Sequence, residues 1–202
     1  DYEILAFSSS ELNPNVEEWD LGSLNSTYFD SIATIDTAVV KAERGDENSQ
    51  RLNVVLRGFD SNFSEHGGLS LSDWAGELGS TEMEIWDAVL NDDSLVIIDS
   101  SLAPQQIVGP DTVTLNLTVG SPLLISDPTN SGINRTVFVA GILKPEASFA
   151  ASGIYINSEF AQERFDAKSK IVWFSVPDGT SVSEQEFAAD EIERGMIEEG
   201  VA

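Results

Sequence analysis

Cysteine is missing from this chain altogether, and histidine occurs once, at His66. The first absence removes disulfide staples, thiolate nucleophiles and cysteine-based zinc sites, and it leaves the redox compartment unreadable. The second leaves nucleophilic catalysis a single imidazole to draw on. His66-Gly67-Gly68 is similar to the oxyanion loop of some esterases, but no Gly-X-Ser-X-Gly elbow accompanies it, so a solvated loop histidine is the reading. None of Lys41, Lys144, Lys168 and Lys170 follows a glycine, which excludes a Gly-Lys-Ser/Thr phosphate loop and ATP binding by this chain. No apolar run approaches the roughly 20 residues that span a bilayer as a helix.

Basic residues are scarce as well. Ten stand against 35 acidic ones, and the net charge of -25 repels nucleic acid and anionic headgroups alike. The charge reads as a solvating surface, as in salt-adapted or extracellular proteins. No EF-hand pattern occurs, and Asn91-Asp92-Asp93, which could hold calcium, is better read as a polar turn ending a helix. No metal and no cofactor is therefore expected. Among so many acids some carboxylate pair lies close by chance, so an acidic hydrolase is the least favoured function.

A chain of 202 residues buries roughly 70% of its unfolded surface and needs no staple to hold a core. Tyr2 to Phe7 has strand composition. Leu24, Tyr28, Phe29 and Ile32 fall at helical spacing, and Asp36 to Glu43 and Leu52 to Leu56 read as strands around a turn at Arg44 to Ser49. Polar residues and Gly67-Gly68 place a junction near Asn62 to Ser70. Thr81 and Glu84 have capping-box spacing before the apolar stripe Ile85, Trp86, Val89 and Leu90, and that helix feeds a strand at Leu95 to Asp99. Thr112 to Val119 alternates strictly and predicts a half-buried strand. Leu123 to Ile125 and Thr136 to Leu143 predict a hairpin about the turn residues Asp127 to Gly132. A strand at Gly153 to Ile156, a helix at Ser158 to Phe165 and a strand at Ile171 to Val176 follow. The last helix is expected to be capped by Ser183 and Glu186, with Ala188, Ile192 and Met196 on one face.

The pattern predicts an α+β fold, with one α+β subdomain built from both chain ends, residues 1–64 and 150–202, and a β-rich subdomain, residues 65–149, inserted between them. Asn-X-Ser/Thr acceptors at Asn25, Asn62, Asn116 and Asn134 suit a cell-surface protein and mark candidate glycosylation sites. Trp86 and Trp173 belong to regular elements and read as core. Trp74, placed in a Gly-rich loop, and Phe149, in the loop Pro145 to Ser152, are the candidate partner contacts; Phe160 could join them in a hydrophobic groove.

One ordered series of segments points further. Val54-Val55-Leu56-Arg57-Gly58-Phe59-Asp60 precedes Leu95-Val96-Ile97-Ile98-Asp99, Ser101-Leu102-Ala103, Val119-Gly120-Ser121-Pro122-Leu123-Leu124-Ile125, Thr136 to Leu143, Gly153-Ile154-Tyr155-Ile156 and Phe160-Ala161-Gln162. In that order they resemble the extracytoplasmic core domain of MacB/FtsX-type permeases of ABC transporters. The resemblance implies the two-part layout above, with an α/β porter-like subdomain from the two flanks whose second flank closes on a strand after the helix; this sequence stops at Ala202, so that strand is either beyond it or absent. It implies a location on the extracellular face of the cell membrane and a non-catalytic role, in which motion driven by a cytoplasmic ATPase passes through transmembrane helices to an extracellular substrate or partner protein. Because the chain starts at Asp1, it reads as an excised fragment whose flanks are transmembrane helices of the same permease, with both ends on one side. A permease dimer in the membrane and a monomeric isolated domain are the corresponding expectations. A cell-surface ligand-binding or adhesion module is the alternative.

Overall fold

The structure, a computed structural model, describes residues 2–7, 29–45, 51–65, 68–104, 114–130, 132–148, 152–177 and 179–198. In chain order the strands are β1 (Tyr2–Phe7), β2 (Ser31–Arg44), β3 (Leu52–Phe59), β4 (Leu71–Trp74), β5 (Leu95–Ile98), β6 (Pro122–Ser126), β7 (Asn134–Leu143), β8 (Ile154–Asn157) and β9 (Ser169–Ser175). The helices are α1 (Ser61–Glu65), α2 (Glu82–Asn91), α3 (Pro145–Ser148), α4 (Ser158–Phe165) and α5 (Val182–Glu198), with a 3₁₀ turn at Ser100–Leu102. The fold is α+β, as the sequence pattern predicts.

The nine strands of the described residues join one hydrogen-bonded sheet, and two long strands organise it. Along β2, β3 takes one edge from Ile35 to Ala42, so β9 and β6 divide the other, β9 beside Ser31 to Thr37 and β6 beside Lys41 to Arg44. Along β7, β5 takes one edge, and β6 and β4 divide the other. The pairs β2–β3, β3–β8, β8–β5, β5–β7, β7–β6 and β6–β2 therefore close a ring of six strands. Closure removes the free edges these strands would otherwise expose. Strands β1 and β9 branch from the ring at β2, and α5 packs beside β1. Residues of the range 65–149 meet the two flanking ranges along the short β5–β8 ladder and along β2–β6.

The pleat sends alternate residues to opposite faces of this wall. Ile154 and Ile156 of β8 point into the ring while Tyr155 points out, and Val96 and Ile98 of β5 point in while Ile97 points out. On β2 the buried positions change parity. Ser31, Ala33 and Ile35 are buried on the outer face under the aromatic cluster, whereas Val40 and Ala42 face the interior, with the switch at buried Asp36. Helix α4 closes the interior from one side through Ala161 and Phe165.

Several local expectations are corrected. Phe29 and Asp30 are not helical and Ile32 lies within β2, so the helix inferred from Leu24 to Ile32 does not extend past residue 28; the rest of that segment lies outside the described residues. The predicted strand at 112–119 forms no ladder over its described residues. Leu115 and Leu117 are buried and Asn116 and Thr118 exposed, as alternation requires, but Asn116 adopts a left-handed conformation (φ 50°) that breaks the extended run. Leu117 N–H is instead satisfied by the Leu102 carbonyl at 3.0 Å. Trp74 ends strand β4 rather than lying in a loop. The α5 cap sits two residues earlier than expected: Ser181 N–H and hydroxyl donate to Glu184 Oε2, and Glu184 N–H donates back to Ser181 Oγ. The Thr81–Glu84 capping box of α2 is present as predicted.

Candidate functional site

Arg57 interrupts an otherwise apolar run, and Asp99 ends another; the ring brings both to β8. The parallel register sets Arg57 beside Tyr155, with the guanidinium carbon 5.9 Å from the Tyr155 ring centroid. Arg57 Nε–H donates to the Ser152 carbonyl at 2.8 Å. From the other side, Asp99 Oδ2 accepts the Gly153 N–H at 2.6 Å and Oδ1 accepts the Ser101 N–H at 2.7 Å, while Asp99 N–H donates to the Gly153 carbonyl at 3.0 Å. Both charged residues are buried, and a buried charge is tolerable only when hydrogen-bonded. Gly153 itself has φ 138°, and a Cβ there would lie 2.4 Å from the Val55 carbonyl oxygen, so only glycine fits. Together Arg57 and Asp99 fix Ser152 and Gly153, where the chain enters β8 from the region of the expected contact loop. Burial pushes the Tyr155 phenol well above its usual range; the Arg57 charge opposes that shift and the Asp99 charge adds to it.

A second polar cluster docks α4. Asp36 Oδ2 accepts hydrogen bonds from the Ser158 hydroxyl and from Gln162 Nε2, the latter at 2.6 Å. Gly58, opposite Asp36 in the β2–β3 register, lets the helix come close: a Cβ there would lie 2.8 Å from both Ala161 Cβ and Ser158 Cα. Asn157 caps α4 by accepting the Phe160 N–H at 3.1 Å, and its amide donates to the Leu90 carbonyl at the end of α2. Nearby, Asp60 Oδ1 accepts the Phe63 N–H at 3.1 Å and Oδ2 accepts the Thr34 N–H at 3.4 Å. Burial holds the Asp60 carboxyl above its ordinary value; the Phe63 and Thr34 hydrogen bonds lower it, and the Asp36 charge raises it. The work these clusters do is to pin helix and strand ends to the ring.

The residues singled out in the sequence fall in separate places. Trp74 is half-buried at the end of edge strand β4, packed against the outer cluster. Trp86 and Trp173 are core, and Trp86 Nε1–H donates to the Leu69 carbonyl at 3.0 Å. Phe160 packs on Phe165 and lies under Arg135, so it belongs to the α4 seat rather than to a groove with Trp74. Phe149, Asn25 and His66 lie outside the described residues. Asn62, Asn116 and Asn134 are all exposed. Asp92 is a turn residue: its Oδ1 accepts Ser94 N–H and hydroxyl, while Asn91 donates to the Asp87 carbonyl. Among the described residues no group of three or more acidic or histidine side chains could hold a metal ion. Sequence reading passed over Arg57, Asp99 and Asp36. The signal available for each was a charge set inside or at the end of an apolar strand.

No family model matches the sequence, and no curated protein matches it. Solved structures do. The extracellular domain of the noncanonic ABC-type transporter YknZ from Gram-positive bacteria aligns at 15% identity with a TM-score of 0.54, over 98% of this chain and 94% of that one. The periplasmic region of MacB from Actinobacillus actinomycetemcomitans aligns at 14% identity with a TM-score of 0.50, over 96% of this chain and 76% of that one. Over nearly its whole length the chain thus has the fold of the extracellular domain of the ABC-type transporter YknZ and of the periplasmic region of MacB.

Proposed function

We propose that this chain is the extracytoplasmic domain of an ABC transporter permease of the FtsX/MacB type, and that it is non-catalytic. The observation that carries the reading is the fold likeness to YknZ and MacB across almost the full length of the chain. In this role the domain moves as a near-rigid body when a cytoplasmic ATPase drives the transmembrane helices, and it pushes on or releases an extracellular substrate or partner protein. A wall closed on itself and pinned at β8 and α4 suits a part that transmits displacement. The permease works as a dimer, and the isolated domain is monomeric.

The division into a porter-like subdomain of residues 1–64 and 150–202 and an insert of residues 65–149 belongs to the same proposal. Its seam follows the β5–β8 and β2–β6 ladders. Phe149 and Trp74 are the proposed partner contacts.

The test uses the whole protein in its own membrane. Protease added to intact cells is expected to cut within this domain, and affinity purification of the protein is expected to retrieve a nucleotide-hydrolysing subunit or domain. Phe149→Ala and Trp74→Ala are expected to leave that ATPase assembly intact and to weaken the response to the extracellular partner. A protein with one membrane anchor, free of any ATPase, would instead make this a surface-binding module.

A further inference from the structure

We infer that Asn134 and Asn116 are sites of N-linked glycosylation and that Asn62 is not. The inference rests on the extracytoplasmic location proposed above. The reaction joins the asparagine Nδ2 to the anomeric carbon of an oligosaccharide carried on a lipid pyrophosphate. The bond from that carbon to the pyrophosphate oxygen breaks, the lipid pyrophosphate leaves, and the amide gives up one proton. The acceptor must therefore present its Nδ2 and the hydroxyl two residues on to a transferase.

The acceptors differ in how far the fold permits this. Asn134, Arg135 and Thr136 are exposed in succession at the start of β7, directly after the turn that ends at Ile133, and the burial that locks the strand begins only at Val137. Asn134 and Thr136 lie on the outer face of the ring, opposite the inward Val137, beside Ser126 and Leu124 of β6. Asn116 stands out from the wall by its left-handed backbone, with Leu117 anchored in the interior and Thr118 exposed two residues later, its hydroxyl sharing a 3.1 Å hydrogen bond with the Ser121 hydroxyl. At both sites a bulky polar group meets solvent without disturbing a packed side chain. Asn62 is built the other way: both Phe63 and Ser64 are fully buried, and the Ser64 hydroxyl donates to the Ser61 carbonyl. The required hydroxyl there lies inside the protein.

A consequence follows for docking. The outer face of β6 and the first half of β7, which includes exposed Phe138, would carry sugar at Asn134 and be closed to a flat protein partner.

The experiment is mass spectrometry of the protein purified from its own host, read as glycopeptides and as intact mass, for the parent and for N134Q, N116Q and N62Q. Protease accessibility in intact cells is measured on the same material. Glycan on the Asn134 and Asn116 peptides, with one glycan lost in N134Q, one in N116Q and none in N62Q, is the expected result. Unmodified Asn134 and Asn116 in a domain that external protease reaches, or a glycan at Asn62, would overturn the inference and leave the location standing. Unmodified peptides in a domain that external protease cannot reach would remove the location as well.

Discussion

The two faces of one wall are packed with different chemistry. Inside the ring the contacts are aliphatic, from Val40, Leu56, Val96, Ile98, Ile125, Val139, Ile154 and Ile156, and the aromatic rings that reach this cluster, Phe160 and Phe165, come from α4. Outside, Phe59, Phe63, Trp86, Tyr155 and Trp173 form a ring cluster with centroids 5.0 to 6.1 Å apart, mostly edge to face. Curvature accounts for the difference. Eight strands leave a barrel interior just wide enough for side chains, and six leave less, so compact branched residues fill it. The convex outer face must reach two short helices that cannot follow its curve, and large flat rings span that gap. Small parts interlock on one side, and a few large ones carry the contact on the other.

If that contrast is real, single deletions should cost unequally. Phe63 meets four other rings, so Phe63→Ala is expected to destabilise by about 3–5 kcal/mol, read as a lower urea midpoint with near-ultraviolet dichroism lost from the tryptophans. A smaller loss would mean the outer cluster can collapse on itself. Gly58→Ala examines the place where α4 is seated over the wall. Its new methyl must displace both Ser158 and Ala161, at an expected cost of about 1–3 kcal/mol, with faster amide exchange confined to α4. Ile156→Val removes one methylene from the interior and is expected to cost only about 0.5–1.5 kcal/mol by the same urea measurement. A cost as large as that of Phe63→Ala would refute the contrast.

Strand positions were legible locally from composition, but the runs at β5 and β8, Leu95 to Ile98 and Ile154 to Ile156, are apolar at every position and do not say which residues turn inward. The failed strand at 114–118 kept its burial parity while losing its ladder. The Thr81–Glu84 cap was equally local. What the chain does not announce is which strand lies beside which: β2 meets β6, and β5 meets β8, across long stretches of sequence, and closure depends on those two seams. The β2 parity switch at Asp36 follows from closure, so it could not be read before the seams were known. The polar pins at Arg57, Asp99 and Asp36 were missed for the same reason, since a charge in an apolar strand acquires its meaning only from the backbone brought to it from elsewhere.

The finest difference lies between two kinds of carboxylate and concerns acid. The carboxyls of Glu84, Asp92, Asp127 and Glu184 are held below their ordinary values, each chiefly by hydrogen bonds from nearby serine or threonine residues. Such groups contribute stability that is complete above the unfolded-state value and is lost as pH falls through the folded one. Asp60, tucked between β2 and α1, runs the other way. Its folded value is raised, so the charged form is penalised in the fold at neutral pH, and that penalty is relieved as pH falls through the raised value toward the unfolded one. Asp60→Asn keeps an oxygen to accept the Phe63 N–H but cannot titrate. Relative to this variant, the parent protein is therefore expected to gain stability between neutral pH and about pH 4, where free carboxylates titrate, a window in which the other four groups still contribute in full to both proteins. Urea midpoints of the two proteins across that range provide the measurement. A gap that stays constant with pH would show that burial beneath α1 does not penalise the Asp60 charge, and the asymmetry between the two kinds of carboxylate would fall with it.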